Sequence, residues 1–322
     1  MFRVGLIGCG GISTVHAPVL GELDNTELVA CSDIIPDRAK RYGCTAYTDW
    51  QDMLENEKLD AVHICTPHYL HPVMVSAAAR RGIAVFTEKP PAIDAEGWET
   101  VKQAAKLVPV GICFQNRYHP HIQTCKRFIR EGTYGELKGI RAFMTWSRSE
   151  EYYAAADWKG KWATEGGGAM INQAIHTLDL MIGFLGMPDR TEAVLRNHHL
   201  RGAIEVEDTA EVYLRKGNIP ALLYASTAYS RDAQVMLELY FEQAVICIEG
   251  DLMTVTKDGQ KQEIPCVTDP VLGRSYWGAG HKACIADFYR SIENGTQYGN
   301  DPDSCDGTMR TLLKIYEQGK QQ

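Results

Sequence analysis

The chain has no apolar run approaching the ~20 residues that a membrane-spanning helix needs. It has no basic stripe either. Its 33 Lys and Arg are outnumbered by 41 Asp and Glu, giving a formal net charge of -8. That balance argues against nucleic acid and membrane surfaces as partners, but it leaves room for a local basic pocket and a small-molecule substrate. No C-x-x-C pair occurs among the ten cysteines, Cys9, Cys31, Cys44, Cys65, Cys113, Cys125, Cys247, Cys266, Cys284 and Cys305. Scattered cysteines fit neither a zinc ribbon nor a disulfide scaffold; they read as reduced, buried thiols in a cytoplasmic protein. No basic segment and apolar core precede the strand-like run Phe2 to Ile7, so no signal peptide is predicted. G-x-S-x-G and G-x-x-x-x-G-K-[ST] are both missing. The pairs His119-x-His121 and His198-His199 have no third ligand at a recognised spacing, so no metal site is predicted. Internal repeats and low-complexity segments are absent as well.

What the chain does have is 322 residues, 45% of them hydrophobic, enough for two cores. Up to about residue 115, short apolar runs alternate with amphipathic stretches. Candidate strands are Phe2–Gly8, Glu27–Asp33, Ala61–Thr66, Ala84–Thr87 and Val110–Phe114, with helices such as Tyr69–Arg81 and Ala95–Leu107 between them. Continuous apolar strands separated by helices predict a doubly wound parallel sheet of the Rossmann type. The texture then changes. A helix over Pro120–Arg130, an alternating stretch Leu137–Trp146 and a long helix from Gly168 to Leu185 precede successive strands between Thr191 and Ile264, with a hairpin turn at Asp258-Gly259. Short turns between strands predict an α+β domain with a large, mostly antiparallel open sheet. Two helices, near Lys282–Glu293 and Cys305–Gln318, close the chain. The predicted domains are residues 1–118 and 119–322, with the last helix able to pack back on the first.

The first strand runs into Gly8-Cys9-Gly10-Gly11-Ile12-Ser13. Gly8 suits a tight turn, Gly10 lets backbone approach a pyrophosphate, and Gly11 and Ile12 lead into a helix whose N-terminal N–H groups attract phosphate. Asp33 ends the second strand, at the distance where a carboxylate meets the adenosine ribose hydroxyls. It would repel a 2′-phosphate, which favours NAD over NADP. Thr66, Pro67 and His68 follow another strand at the edge of the sheet where ligands bind.

Strand Ala84–Thr87 ends in Glu88-Lys89-Pro90-Pro91. Thr66-Pro67 with His71, then Glu88-Lys89-Pro90, then Trp158-Lys159-Gly160 and Gly166-Gly167-Gly168-Ala-Met-Ile-Asn172-Gln173-Ala-Ile-His176-Thr-Leu-Asp179 stand in one order along nearly the whole chain. In this the sequence resembles the Gfo/Idh/MocA family of sugar and polyol dehydrogenases (glucose-fructose oxidoreductase and inositol dehydrogenase among them). The resemblance implies that His71, Glu88 and Lys89 flank the cofactor, and that substrate is touched near Arg117. It also shows a departure: the family often has aspartate where this chain has Asn172.

Alcohol oxidation needs a cation to hold the hydroxyl, a base to take its proton, and a carbon held against the nicotinamide. Lys89, at the mouth of the cofactor crevice, can hold the reacting oxygen, and Glu88 either orients it or packs at the strand end. Asn172, His176 and Asp179, at i, i+4 and i+7, share a helix face. His176 suits acid–base work because an unperturbed imidazole titrates near ~6.5. An amide cannot take a proton, so Asn172 reads as a positioning group, which moves proton transfer to His176 and Lys89. Asp179, one turn away, can orient the imidazole or bond a neighbouring loop. Trp158 stands for the aromatic residues that could carry a sugar face, and His281 opens a helix that could reach the same pocket. The leading reading is NAD-dependent hydride transfer at a secondary hydroxyl or keto group of a sugar, glycoside or cyclic polyol. The alternatives are a redox-neutral NAD-dependent glycosidase or lyase acting through a transient 3-keto sugar, and a non-catalytic NAD-sensing regulator. An antiparallel sheet with one uncovered face predicts a homodimer or homotetramer.

Overall fold

The computed structural model of the chain describes residues 1–265 and 279–319; Cys266 lies outside them. The described residues form two compact units, 1–118 with 279–305, and 119–265 with 306–319.

In the first unit, β1 (Phe2–Ile7), β2 (Thr26–Ser32), β3 (Thr45–Tyr47), β4 (Ala61–Ile64), β5 (Ala84–Thr87) and β6 (Val110–Ile112) form a parallel sheet in the order β3-β2-β1-β4-β5-β6. β4 and β5 are buried at every position, which is why their sequences are largely apolar on both faces rather than alternating, with His63 the one ionisable side chain in them. β3, with two exposed residues of three, gave no such signal. The order reverses between β2-β1 and β4, which makes the crevice beside the end of β1 the ligand-binding place of such a sheet.

The helix His281–Asn294 belongs to this first unit and not, as chain order suggested, to the second. Phe288 and Tyr289 are fully buried in one cluster with Val4, Leu20 and Phe86, and the Phe86 and Phe288 rings lie 5.3 Å apart. Gly111 of β6 is what admits Phe288, because a Cβ there would meet its ring at 2.7 Å.

In the second unit, β7 (Leu137–Thr145), β8 (Arg190–Arg196), β9 (Thr209–Lys216), β10 (Ile219–Ser226), β11 (Met236–Phe241), β12 (Val245–Glu249), β13 (Leu252–Lys257) and β14 (Gln260–Ile264) build one open sheet in the order β14-β13-β12-β11-β7-β10-β9-β8. β7 and β10 run parallel and every other pair is antiparallel. Asp258 and Gly259 have φ of 50° and 74° and join β13 to β14, as a two-residue hairpin of the primed type requires. The helix Ile175–Leu185 lies on β7 and β10. Its N-terminal approach is not regular α-helix: Ala169–Gln173 forms a wider turn, closed by the Ala174 N–H donating to the Ala169 carbonyl at 2.8 Å.

Candidate active site

Gly8 ends β1 with φ +88°, and a Cβ there would lie 2.7 Å from the Cys65 carbonyl oxygen. Only glycine lets β1 turn this close to β4. Gly10 faces open space, with no heavy atom within 4 Å of where a Cβ would stand. Asp33 accepts the Cys9 N–H at 2.8 Å and the Ile35 N–H at 2.9 Å, so its carboxylate also shapes the glycine loop. Ser13, at the third fingerprint position, is buried and donates to the Gly10 carbonyl at 2.6 Å. This cradle, open at Gly10 and followed at once by the helix Ser13–Glu22, fits a dinucleotide pyrophosphate.

β1, β4 and β5 are neighbours, so Gly8, the Thr66-Pro67-His68 turn and Glu88-Lys89 all leave the sheet at its C-terminal edge. His71 departs from its sequence reading. It is fully buried, with Nδ1 2.7 Å from the Pro90 carbonyl and Nε2 2.8 Å from the Thr66 carbonyl, so it ties two loops together instead of presenting a group to cofactor. Burial holds it below the ordinary histidine range against the pull of both carbonyls. His68 is also buried. The Lys89–Pro90 peptide is cis.

Glu88 is 7% exposed and anchors a buried chain of polar groups that sequence reading did not find. Its Oε1 lies 2.9 Å from His16 Nε2, His16 Nδ1 lies 2.8 Å from His63 Nδ1, and His63 Nε2 lies 2.8 Å from the Tyr289 hydroxyl. Burial works against the Glu88 charge. The His16 hydrogen bond and the nearby charges of His16, His281 and Lys89 outweigh it and hold the carboxyl far below its usual range. Burial, reinforced by His16, keeps His63 neutral. The Lys89 backbone N–H donates to the second Glu88 oxygen at 3.2 Å. One signal for this chain was present in the sequence: a histidine inside the buried strand Ala61–Ile64 needs a polar partner.

The second unit holds its own constellation. Gly167 and Gly168 are closed in by protein: a Cβ at Gly168 would strike the Glu207 carbonyl and one at Gly167 the Tyr316 hydroxyl. The glycines let the wide turn close over Glu207, which accepts from the Gly168 N–H at 2.9 Å, the Met170 N–H at 3.0 Å and the Tyr316 hydroxyl at 2.8 Å. Burial pushes Glu207 up despite these donors. Beside it, Glu165 accepts from the Gly160 N–H and from the Asn172 side-chain amide, each at 2.5 Å. Asn172, His176 and Leu180 are part-exposed, while every residue between them is buried.

Asp179 therefore turns the other way from His176. It is 1% exposed and accepts from the Thr308 hydroxyl at 2.7 Å, a packing role that corrects the substrate-side reading. Arg117 donates to the Gly299 carbonyl, to Asn300 and to Ser304, and stacks 5.4 Å from the Phe114 ring. That anchors it to the segment before the last helix and to the helix's first turn. His281, 3% exposed, lies in the first unit near enough to Glu88 to affect its charge. Trp158 is half-buried, and its carbonyl accepts from Thr164 at 2.7 Å. Tertiary structure brings Asp251 to His119, 3.3 Å away, but His121 is engaged with the Asp251 backbone carbonyl. His16, Glu88 and Cys113 cluster closely enough to hold a metal ion, among the described residues, yet His16 and Glu88 already bond each other.

Residues 2–113 match the oxidoreductase family with an NAD-binding Rossmann fold known as GFO/IDH/MocA, and residues 122–247 match that family's C-terminal domain. The chain is 26% identical over 329 residues to inositol 2-dehydrogenase of Rhizobium meliloti (strain 1021), covering 97% of this chain and 94% of that one. It is 27% identical over 210 residues to levoglucosan dehydrogenase of Pseudarthrobacter phenanthrenivorans, covering 60% of this chain and 53% of that relative. The crystal structure of the WlbA dehydrogenase from Bordetella pertussis in complex with NADH and UDP-GlcNAcA superposes with a TM-score of 0.86 at 26% identity, over 99% of this chain and 96% of that one. Cofactor cradle, paired domains and full-length similarity agree: the chain belongs to the Gfo/Idh/MocA family of NAD-dependent oxidoreductases.

Proposed function

We propose that this protein moves a hydride between NAD and a secondary hydroxyl of a sugar or cyclic polyol. The observation that carries the reading is the shared edge of β1, β4 and β5, where the Gly8–Gly11 cradle, the Thr66–His68 turn and Lys89 leave one parallel sheet side by side. Bound there, NAD supplies the hydride acceptor. Gly10 and the N-terminus of the helix Ser13–Glu22 hold the pyrophosphate, and Asp33 holds the adenosine ribose. Lys89 holds the substrate oxygen, with Glu88 fixed by His16 so that its charge stays beside the ammonium. His176 takes the hydroxyl proton and Asn172 orients the ring. Names of relatives, an inositol and a levoglucosan dehydrogenase, support the substrate class.

The test is NADH formation by purified protein across sugars, inositols and anhydrosugars, myo-inositol and levoglucosan included. Lys89→Met and His176→Ala should each lose ~10²-fold or more in kcat while NAD affinity stays within a few-fold. Near-normal turnover in both variants would refute these roles. The same proposal assigns cofactor binding to residues 1–118 and substrate binding and self-association to residues 119–322, with 279–305 packed on the former. It takes the chain to be a cytoplasmic homodimer or homotetramer. The free thiols of all nine described cysteines support the compartment, and the part-exposed outer face of the second sheet, where Leu222 is 45% exposed, supports the assembly.

A further inference from the structure

Asn172 cannot carry a negative charge, but the buried carboxylate hydrogen-bonded to it can. Glu165 is 0% exposed and lies seven residues before Asn172, just ahead of the glycine run. One oxygen, Oε2, is committed to the Gly160 backbone N–H, a donor that cannot change its role. The other, Oε1, takes the Asn172 side-chain N–H. We propose that Glu165 is a positioning residue for the dehydrogenase reaction: it decides which end of the Asn172 amide is turned toward a substrate oxygen. The inference rests on the functional reading above, in which Asn172 orients substrate.

The argument is one of donors and acceptors. An ionised carboxylate only accepts, so Asn172 must give it Nδ2, which directs the amide carbonyl the other way, as an acceptor for an alcohol O–H. A protonated Glu165, with Oε2 still on Gly160, becomes a donor at Oε1. The amide must then reverse and offer its N–H₂, a donor suited to a ketone oxygen. The carboxylate that the family often carries at position 172 is thus displaced onto a neighbouring turn, and its protonation is read out through an amide. Burial pushes the Glu165 carboxyl up to about 7; Gly160 and Asn172 oppose the shift, the buried charge of Glu207 adds to it, and Lys159 opposes it. Tyr153 and Tyr316 also face it, both themselves pushed up by burial and by the Glu165 charge. Lys159 Nζ sits 3.6 Å over the Tyr152 ring, which keeps the counter-charge close. Alcohol binding should therefore strengthen, and ketone binding weaken, as pH rises through neutrality.

Glu165→Gln gives a sharp test. With its oxygen held by the Gly160 N–H, the glutamine must present Nε2 to Asn172 and lock the reversed amide. The expected result, with NAD and myo-inositol or levoglucosan as the alcohol, is a KM raised about tenfold or more, a smaller change in kcat, and loss of the rise of kcat/KM through neutral pH, while KM for the ketone product is not raised. Restoring a carboxylate at the family position in Glu165→Ala/Asn172→Asp should return kcat/KM to within a few-fold of the parent. A Glu165→Gln enzyme with parental KM and pH profile, or a double variant no better than Glu165→Ala, overturns the proposal. Carboxyl-labelled ¹³C glutamate NMR checks the coupling without turnover: a resonance titrating near neutrality should vanish in Glu165→Gln and move in Asn172→Ala. If it ignores Asn172→Ala, the proposal fails. If the parent enzyme turns over neither alcohol but the resonance responds, the substrate reading fails and the Glu165–Asn172 coupling stands.

Discussion

At Glu88 and at Glu165, burial acts on the same kind of group with opposite results, because their neighbours differ. Glu88 has histidine and lysine charges around it and stays ionised; Glu165 has another buried glutamate and its carboxyl rises to about 7. Each difference has a measurable consequence. Removing the Glu88 partner in His16→Leu leaves a buried charge, which should cost about 3 kcal/mol at neutral pH by urea unfolding. Part of that loss should return in His16→Leu/Glu88→Gln, since the coupling then disappears. Glu165 works the other way. Below pH ~4.5 it is protonated in folded and unfolded chains alike. Between ~4.5 and ~7 only the unfolded chain has released its proton, so stability falls as pH rises, by up to about 3 kcal/mol in total. Glu165→Gln has no proton to lose and should show a thermal midpoint that declines less than the parent's between pH 5 and pH 8. An identical decline in both would contradict the shift.

At the scale of elements, the wide turn Ala169–Gln173 is set by what it encloses. Its glycines are fixed by the Glu207 backbone and by Tyr316, so Gly168→Ala should destabilise by about 1–3 kcal/mol through overpacking, measured by denaturant midpoint. A neutral substitution would mean that the turn has slack. The sequence announced an element here but not its form. Spacing gave a continuous helix from Gly168, and an i, i+4, i+7 face joining Asn172, His176 and Asp179. The half-exposed row is Asn172, His176 and Leu180, and Asp179 is turned into the packing with Thr308. The buried strands of the first sheet were legible because both faces are covered and most side chains on both faces are apolar. β3, with two residues of three exposed, carried no such pattern.

For the whole molecule, occupancy and assembly are the measurable quantities. NAD at ~100 times its Kd should stabilise the folded chain by about 2.7 kcal/mol, seen as a rise of several degrees in thermal midpoint. Gly8→Ala should abolish the rise, because the new methyl meets the Cys65 carbonyl. Free NADH should accumulate in proportion to product; a redox-neutral cycle would release none. Sedimentation that finds only monomer would remove the proposed assembly. The two-domain plan, the glycine cradle with Asp33, and Lys89 at the end of a buried strand were determined by the sequence itself, because hydrophobic period and turn chemistry act over a few residues. Tertiary structure alone decided the rest. His16 meets Glu88 from 72 residues away, Tyr289 meets His63 from 226, and Tyr316 meets Glu207 from 109. Desolvation and charge depend on which distant groups share a cavity, and local spacing carries no record of that.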